Sequence, residues 1–300
     1  MDRIREMEVF IQVMESGNFT RAAAALGMPR STVSTVIQAL EDRVGTQLLR
    51  RSTRQMVPTD EGGRFLGTAR EIVDAVHETD QMFRRRVARF HGRLRVDMPS
   101  RIGRRIVIPA LPALLEENPG LEIEVGTTDR KIDLISEGID CLIRVGTLHD
   151  ADIICRKLGD LEVITCASPG YLDRHGVPKQ PSDLSAHLMV HYGATLPAGP
   201  PAFTYRTPSG AAEVRMRSRV TVNNAESYIA AARSGLGLIQ LPAFDVRDLL
   251  ESGELVRILP DLIPPPMQLS LLHAERRNVP ARIVAFREWV QEVFRMSGVV

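Results

Sequence analysis

The sequence predicts an α/β protein overall, in which three short helices and a small β-ribbon lead into one long helix and then an α/β region of two subdomains. Three observations carry this. Before residue 45, apolar residues recur at helical spacing in three short runs, each closed by a glycine. A heptad pattern then runs from about residue 59 to 89. Beyond residue 92, strand-like apolar runs alternate with helical ones, separated by Gly- and Pro-rich turns.

The elements follow in order. Ile4, Met7, Val9, Phe10, Ile11, Val13 and Met14 give the first helix a broad apolar face, and Ser16-Gly17 ends it. Asn18 is placed to cap a second helix, whose run Ala22-Ala23-Ala24-Ala25 allows close packing before Gly27 stops it. A third helix starts at Pro29 or Arg30. Its stripe Val33, Val36, Ile37 and Leu40 faces inward, leaving Arg30, Ser31, Thr32, Ser34, Thr35 and Gln38 outward. Two short strands, about 47–51 and 56–59, flank a tip at Ser52-Thr53-Arg54. This is a wing.

From Thr59 to about Arg89 one long helix is expected. Phe65, Ala69, Ile72, Val76, Thr79 and Phe83 alternate spacings of four and three, a seam suited to a partner helix rather than to its own core. His91-Gly92 marks a hinge. Strands are then expected near 94–98, 121–126, 140–145, 153–158, 161–167, 203–206, 213–222, 238–241 and 267–273. Helices are expected near 101–117, 131–137, 225–234 and 280–296, giving subdomains built on parallel sheets.

Composition narrows the chemistry. Hydrophobic residues are 44% and charged residues 25% of the 300, the balance of a soluble protein with a sizeable core. Net charge is +1, so any nucleic-acid contact must come from a local patch. The first lysine is Lys131, and the N-terminal cations are all arginine, whose planar fork suits phosphate and guanine. Cys141, Cys155 and Cys166 show no C-x-x-C spacing, which argues against a disulfide framework or a zinc site. Cys141 and Cys166 lie in apolar strand runs, as inert buried thiols do. The N-terminus lacks the apolar run of a signal peptide and no stretch reaches membrane-span length, so a cytoplasmic protein without membrane contact is expected. G-x-S-x-G, Walker and H-E-x-x-H motifs are missing, and Gly235-Leu-Gly237 fails the dinucleotide pattern at Gln240. No enzyme, cofactor or metal site is expected.

The stretch FTRAAAALGMPRSTVSTVIQALEDRVGTQLLRRSTRQMVPTDEG resembles the signature of the LysR family of transcriptional regulators. The landmarks are Ala22 and Ala23, Ser34, Leu40-Glu41, Gly45, Arg51, Arg54, Thr59 and Gly62. RLRVDMPS, LPALLEENPGLEIEV, LISEGIDCLIRVG, CASPGYLDRHG and AARSGLGLIQLP extend the resemblance through the C-terminal region. Three positions depart from the common pattern: Arg30 for glutamine, Thr35 for a basic residue, and Pro29 for a capping serine.

The resemblance implies a winged helix-turn-helix at 1–58, a dimerising linker helix at 59–90, and an effector domain at 92–300 like type 2 periplasmic binding proteins. Its subdomain I is expected at 92–161 with 268–300, and subdomain II at 162–267. The expected DNA contacts are Arg30, Ser31, Thr32, Ser34, Thr35 and Gln38 on the recognition helix, with Arg21, Arg50, Arg51 and Arg54 on phosphate or minor groove. Arg21 and Arg43 have a second reading, as solvated side chains or as partners of Glu41 and Asp42. Phe65, Ala69, Ile72, Val76 and Phe83 are the expected dimer contacts. The expected partners are double-stranded DNA carrying an interrupted palindrome, the same chain as a dimer and a dimer of dimers, RNA polymerase, and a small-molecule effector.

For the effector, α/β logic points beyond the carboxyl ends of strands, between the subdomains. Pro99, Ser100, Arg101, Arg144, Gly146, Thr147, Asn223 and Asn224 fall there. Two helix N-termini facing one cleft favour an anion. The competing class, a solute receptor or enzyme using its N-terminal helices only for assembly, lacks both an export signal and a catalytic constellation.

Overall fold

The computed structural model describes residues 2–51, 56–81, 92–130, 132–146, 153–193, 198–274 and 279–300. Arg54, Phe83 and Thr147 lie outside the described residues, as does the side chain of Arg51. The chain divides into two compact units.

The N-terminal unit holds α1 (Arg3–Ser16), α2 (Phe19–Leu26), α3 (Arg30–Val44), β1 (Leu49–Arg51), β2 (Met56–Pro58) and α4 (Asp60–Gln81). Asp2 caps α1, and the Asn18 side chain accepts from the Arg21 N–H to cap α2, as its type predicts. Gly27, at φ 61°, makes the left-handed turn between α2 and α3. Pro29 precedes α3 without any side-chain cap. Val9, Phe10 and Val13 pack on Ala22, Ala23, Val33, Val36, Ile37 and Leu40, and Leu48, Leu49 and Leu66 close the core. Each of these valine, leucine, isoleucine and phenylalanine side chains contributes about 1.5–3 kcal/mol on full burial.

Two polar devices seat the ribbon. The Glu41 carboxylate accepts from the Leu48 and Leu49 N–H groups at 2.8 and 3.0 Å, tying α3 to β1. Thr59 Oγ1 donates to the Gln47 carbonyl at 2.7 Å and accepts from the Gly62 N–H at 2.9 Å, opening α4. Gly62 is required there, because a Cβ would lie 2.0 Å from the Leu48 carbonyl oxygen. Leu-Glu and T-x-x-G thus record how the wing attaches. Arg43 pairs with Glu6 at 2.8 Å, not with Glu41 or Asp42 as the alternative reading had it.

The seam on α4 needs correction. Phe65 stacks edge-on against Phe10 at 5.3 Å within the N-terminal core, and Ala69 is fully buried in the chain itself. The first turns of α4 therefore lie on their own core. Heptad spacing alone could not tell this from a partner interface, since both bury one stripe. Ile72 and Val76 stay half-buried.

The C-terminal unit begins with β3 (Gly92–Met98) and an unbroken helical run over 100–117: α5 (Ser100–Ile102), a π-turn Gly103–Val107 and α6 (Ile108–Glu117). β4 (Leu121–Thr127) follows. The short α7 (Leu134–Glu137), expected in subdomain I, falls with the N-terminal unit. Next come β5 (Cys141–Val145), β6 (Ile153–Leu161), β7 (Val163–Ala167), α8 (Pro169–His175) and β8 (His191–Tyr192). β9 (Ala202–Thr207) and β10 (Gly210–Arg215) form a hairpin, and β11 (Thr221–Val222) leads into α9 (Ala225–Arg233). β12 (Ile239–Pro242), α10 (Arg247–Glu251), β13 (Val256–Arg257), β14 (Met267–Ala274) and α11 (Ala281–Met296) complete the chain.

Subdomain I is a five-stranded sheet in the order β4-β3-β5-β14-β6. β3 is parallel to β4 and β5; β14 is antiparallel to β5 and β6. The 100–117 run and α11 cover it, α11 burying Ile283, Phe286, Val290 and Phe294 at spacings of three and four. In subdomain II, β7 lies between β12 and β13 and is antiparallel to both, while β8 pairs with β11 in parallel. The parallel-sheet expectation thus fails for subdomain II. The strand expected over 213–222 is two strands, β10 and β11, broken between Met216 and Val220. α8 and α10 are too short for periodicity to reveal.

Candidate functional site

α3 presents the first surface. Val33, Val36, Ile37 and Leu40 are buried, so the opposite face is turned to solvent. Arg30, Ser31, Thr35 and Gln38 are exposed there, with Thr32 and Ser34 half-buried. The Thr35 hydroxyl donates back to the Ser31 carbonyl at 3.0 Å, leaving its methyl as the outward feature. Arg21 at the start of α2 and Arg50 on β1 are exposed too. This polar helix face opens on an arginine, with Arg50 of the ribbon and Arg21 of α2 also turned to solvent.

The second surface is the junction in the C-terminal unit where the cleft is expected. Of its eight expected residues, Pro99 and Ser100 open the 100–117 run at the carboxyl end of β3, and Asn223-Asn224 open α9. Gly146 ends β5 and donates its N–H to the Gln268 carbonyl at 2.8 Å. The Asn224 side chain accepts from the Ser227 N–H and serves as a helix cap. Asn223 is exposed.

The two arginines expected to bind the effector are held by partners inside the chain. Arg101, 5% exposed, crosses from subdomain I to subdomain II, where Nε meets Asp245 at 3.2 Å and one Nη meets Glu226 at 3.1 Å. It also donates to the Asp245 backbone carbonyl. Arg144, 9% exposed, is held by Asp97 at 2.6 Å and by the Ile143 carbonyl at 2.8 Å. A buried guanidinium must be paired, and in both cases the sequence partner is too distant to be seen locally. On the π-turn, Arg104 and Arg105 also reach subdomain II, at Glu226 (3.2 Å) and Asp248 (2.7 Å). Burial pushes Asp245 up to about 6, although the Arg101 charge and hydrogen bond pull it back.

The sequence reading missed the residue that organises this cleft. Asp129, just beyond β4, accepts from the Ser100 N–H at 3.0 Å and the Ser100 hydroxyl at 3.4 Å, and from the Ala225 N–H of subdomain II at 2.8 Å. The anion expected between the two helix N-termini is supplied by the chain itself. An acid following a strand at its carboxyl end was the available signal. Tyr192 at the end of β8 was missed as well; burial, then Asp129 and Asp245, push it up to about 12. Its ring stacks edge-on to Tyr228 at 5.5 Å.

Cys141 and Cys166 are buried, and burial raises both thiols, Cys166 to about 12. This opposes thiolate chemistry. Cys155 is exposed. Among the described residues, no His/Cys/Asp/Glu cluster of metal-binding geometry is found, and no helix is long and apolar enough to cross a membrane.

Comparison with known proteins bears on both surfaces. Residues 4–63 match the bacterial regulatory helix-turn-helix protein, lysR family, and residues 88–295 match the LysR substrate binding domain. The chain is 38% identical over 295 residues to an uncharacterized HTH-type transcriptional regulator, YhjC, of Escherichia coli K12, covering 98% of this chain and 99% of that one. It is 31% identical to the HTH-type transcriptional activator AaeR of the same organism, covering 94% of this chain and 91% of that one. Among solved structures, CrgA, a LysR-type transcriptional regulator from Neisseria meningitidis, is 27% identical with a TM-score of 0.59. That match covers 96% of this chain and 97% of CrgA. The Vibrio cholerae virulence activator AphB is 26% identical with a TM-score of 0.56, covering 96% and 98%. With both domains matched in order along nearly its whole length, the chain belongs to the LysR family of helix-turn-helix transcriptional regulators, which join a DNA-binding domain to an effector-binding one.

Proposed function

We propose that α3 reads an operator while the cleft between the two C-terminal subdomains takes a small effector whose anionic group replaces Asp129. The observation that carries the second half is the Asp129 carboxylate, bonded to Ser100 in subdomain I and to Ala225 in subdomain II. A ligand carboxylate taking the same donors relieves this crossing bond, and the balance between the subdomains shifts. Arg30 reads guanine through O6 and N7, and Arg21 and Arg50, joined by Arg51 and Arg54 of the wing, supply phosphate affinity. The chain acts as a dimer joined through the later turns of α4, at Ile72 and Val76, and as a dimer of dimers on an interrupted palindrome, where it meets RNA polymerase. It performs no catalysis and needs no cofactor, and it works in the cytoplasm.

The test is a screen of small organic acids against the full chain on its own upstream DNA, read by footprint. The expected effector alters the footprint, and Asp129→Ala binds it about tenfold tighter because its internal competitor is gone. An effector that alters the footprint with equal affinity for wild type and Asp129→Ala would contradict the exchange. Absence of any protected upstream site at moderate salt would contradict the reading of α3.

A further inference from the structure

Subdomain II carries a surface cavity of about 520 Å³ at the end of α9 remote from the cleft. α9 meets Asp129 at Ala225, whereas the cavity is lined by Arg233 at the other end, about 12 Å along the axis. Ser168, Arg174, Ser234, Gly235 and Glu254 also line it.

Three features make this a built site. Ser168 follows β7 and is only 5% exposed, yet its hydroxyl oxygen finds no hydrogen-bond partner among the described residues. A buried hydroxyl left unpaired is rare and calls for a partner from outside the chain, and Ser168 lines the cavity. Arg174 is fixed in place: Nε donates to the Gly170 carbonyl at 2.8 Å and one Nη to the Gly235 carbonyl at 3.3 Å. Its other Nη has no partner among the described residues. Gly235, at φ +75°, makes room for this guanidinium, since a Cβ there would lie 2.4 Å from the Arg174 Nη2 and 3.6 Å from the Ser168 Oγ. Arg233 pairs with Glu254, so this pair is neutral and Arg174 leaves one net positive charge in the lining.

A fixed guanidinium beside a hydroxyl donor suits an oxyanion with several acceptor oxygens. The cavity is far larger than an inorganic oxyanion needs. We infer that it is a second ligand site, separate from the cleft, that binds the phosphate group of a small phosphorylated metabolite through Ser168 and Arg174.

The test uses the full-length chain, titrated with inorganic phosphate and with glycerol 3-phosphate at matched ionic strength against potassium chloride. Binding is read by calorimetry and by amide hydrogen exchange. Saturable binding is expected, with slowed exchange confined to 168–174 and 233–235. Ser168→Ala should weaken it severalfold and Arg174→Gln at least about tenfold, in line with the strength of charged hydrogen bonds. A tighter ester than free phosphate identifies a phosphorylated metabolite; equal affinities identify phosphate itself, and the metabolite is then wrong. Absence of saturable binding up to tens of millimolar overturns the site, as does equal binding by the two variants. Should a variant fail to fold, wild-type exchange decides: protection elsewhere, or none, overturns the site.

Discussion

Two nearly identical tetrapeptides open helices in this chain and meet opposite ends. Met28-Pro29-Arg30-Ser31 begins α3, and Met98-Pro99-Ser100-Arg101 begins the 100–117 run. In both, proline enters extended and no side chain caps the helix. Arg30 faces solvent without a partner among the described residues. Arg101 is buried and shared between Asp245 and Glu226, which lie 144 and 125 residues further on. Local sequence sets the helix start in each case. What the arginine does is set by what the fold brings against it: nothing for Arg30, two acids for Arg101. One is available to DNA, and the other fastens two halves of an effector domain.

The largest effect expected from breaking this contrast is at Arg101. Replacing it by Met strands the Asp245 carboxyl without its cation, and removing one partner of a buried pair costs about 3–5 kcal/mol. Urea unfolding of the C-terminal unit should register the loss, while an unchanged midpoint would mean that the crossing is ornamental. The second effect is a pH dependence. Asp245 is raised from 3.8 to about 6, so the folded state holds its proton more tightly than the unfolded one. The contribution of Asp245 to stability is therefore greatest below pH 4, declines between pH 4 and 6, and levels off above. The difference amounts to about 3 kcal/mol. Because other carboxylates titrate in the same range, the measurement is the stability of wild type minus that of Asp245→Asn across this window. A flat difference would contradict the assignment.

A smaller effect tests the N-terminal side. Gly62→Ala drives a methyl into the Leu48 carbonyl, which must shift. The cost is about 1–3 kcal/mol, typical of overpacking, and a loosened wing. Thermal unfolding together with the salt dependence of DNA binding checks both; an unchanged melting point would show that the close approach is soft.

The same contrast explains what was legible. The three N-terminal helices were readable because their caps and stripes lie within a few residues: Asn18 with Arg21, and Val33 with Val36, Ile37 and Leu40. The place of the cleft was readable from Pro99-Ser100 and Asn223-Asn224 at the ends of strands. Its chemistry was not, since Arg101 and Arg144 find their acids far along the chain, and Asp129 fills the anion position from a loop without periodicity. Phe65 and Ala69 misled for a related reason. A heptad stripe states that one face is buried, not what buries it. The antiparallel strands of subdomain II were hidden because apolar runs carry no direction.

The measurement that tests the central claim most directly places Arg30→Ala and Arg101→Met side by side. Both are assayed for affinity to the chain's own operator against scrambled DNA and for stability in urea. Arg30→Ala is predicted to lose about 1–3 kcal/mol of operator discrimination with no change in unfolding. Arg101→Met should lose stability, while the folded fraction still prefers the operator. A reversal, with operator preference indifferent to Arg30 and dependent on Arg101, would contradict the division between a surface that reads DNA and a cleft held together by its own charges.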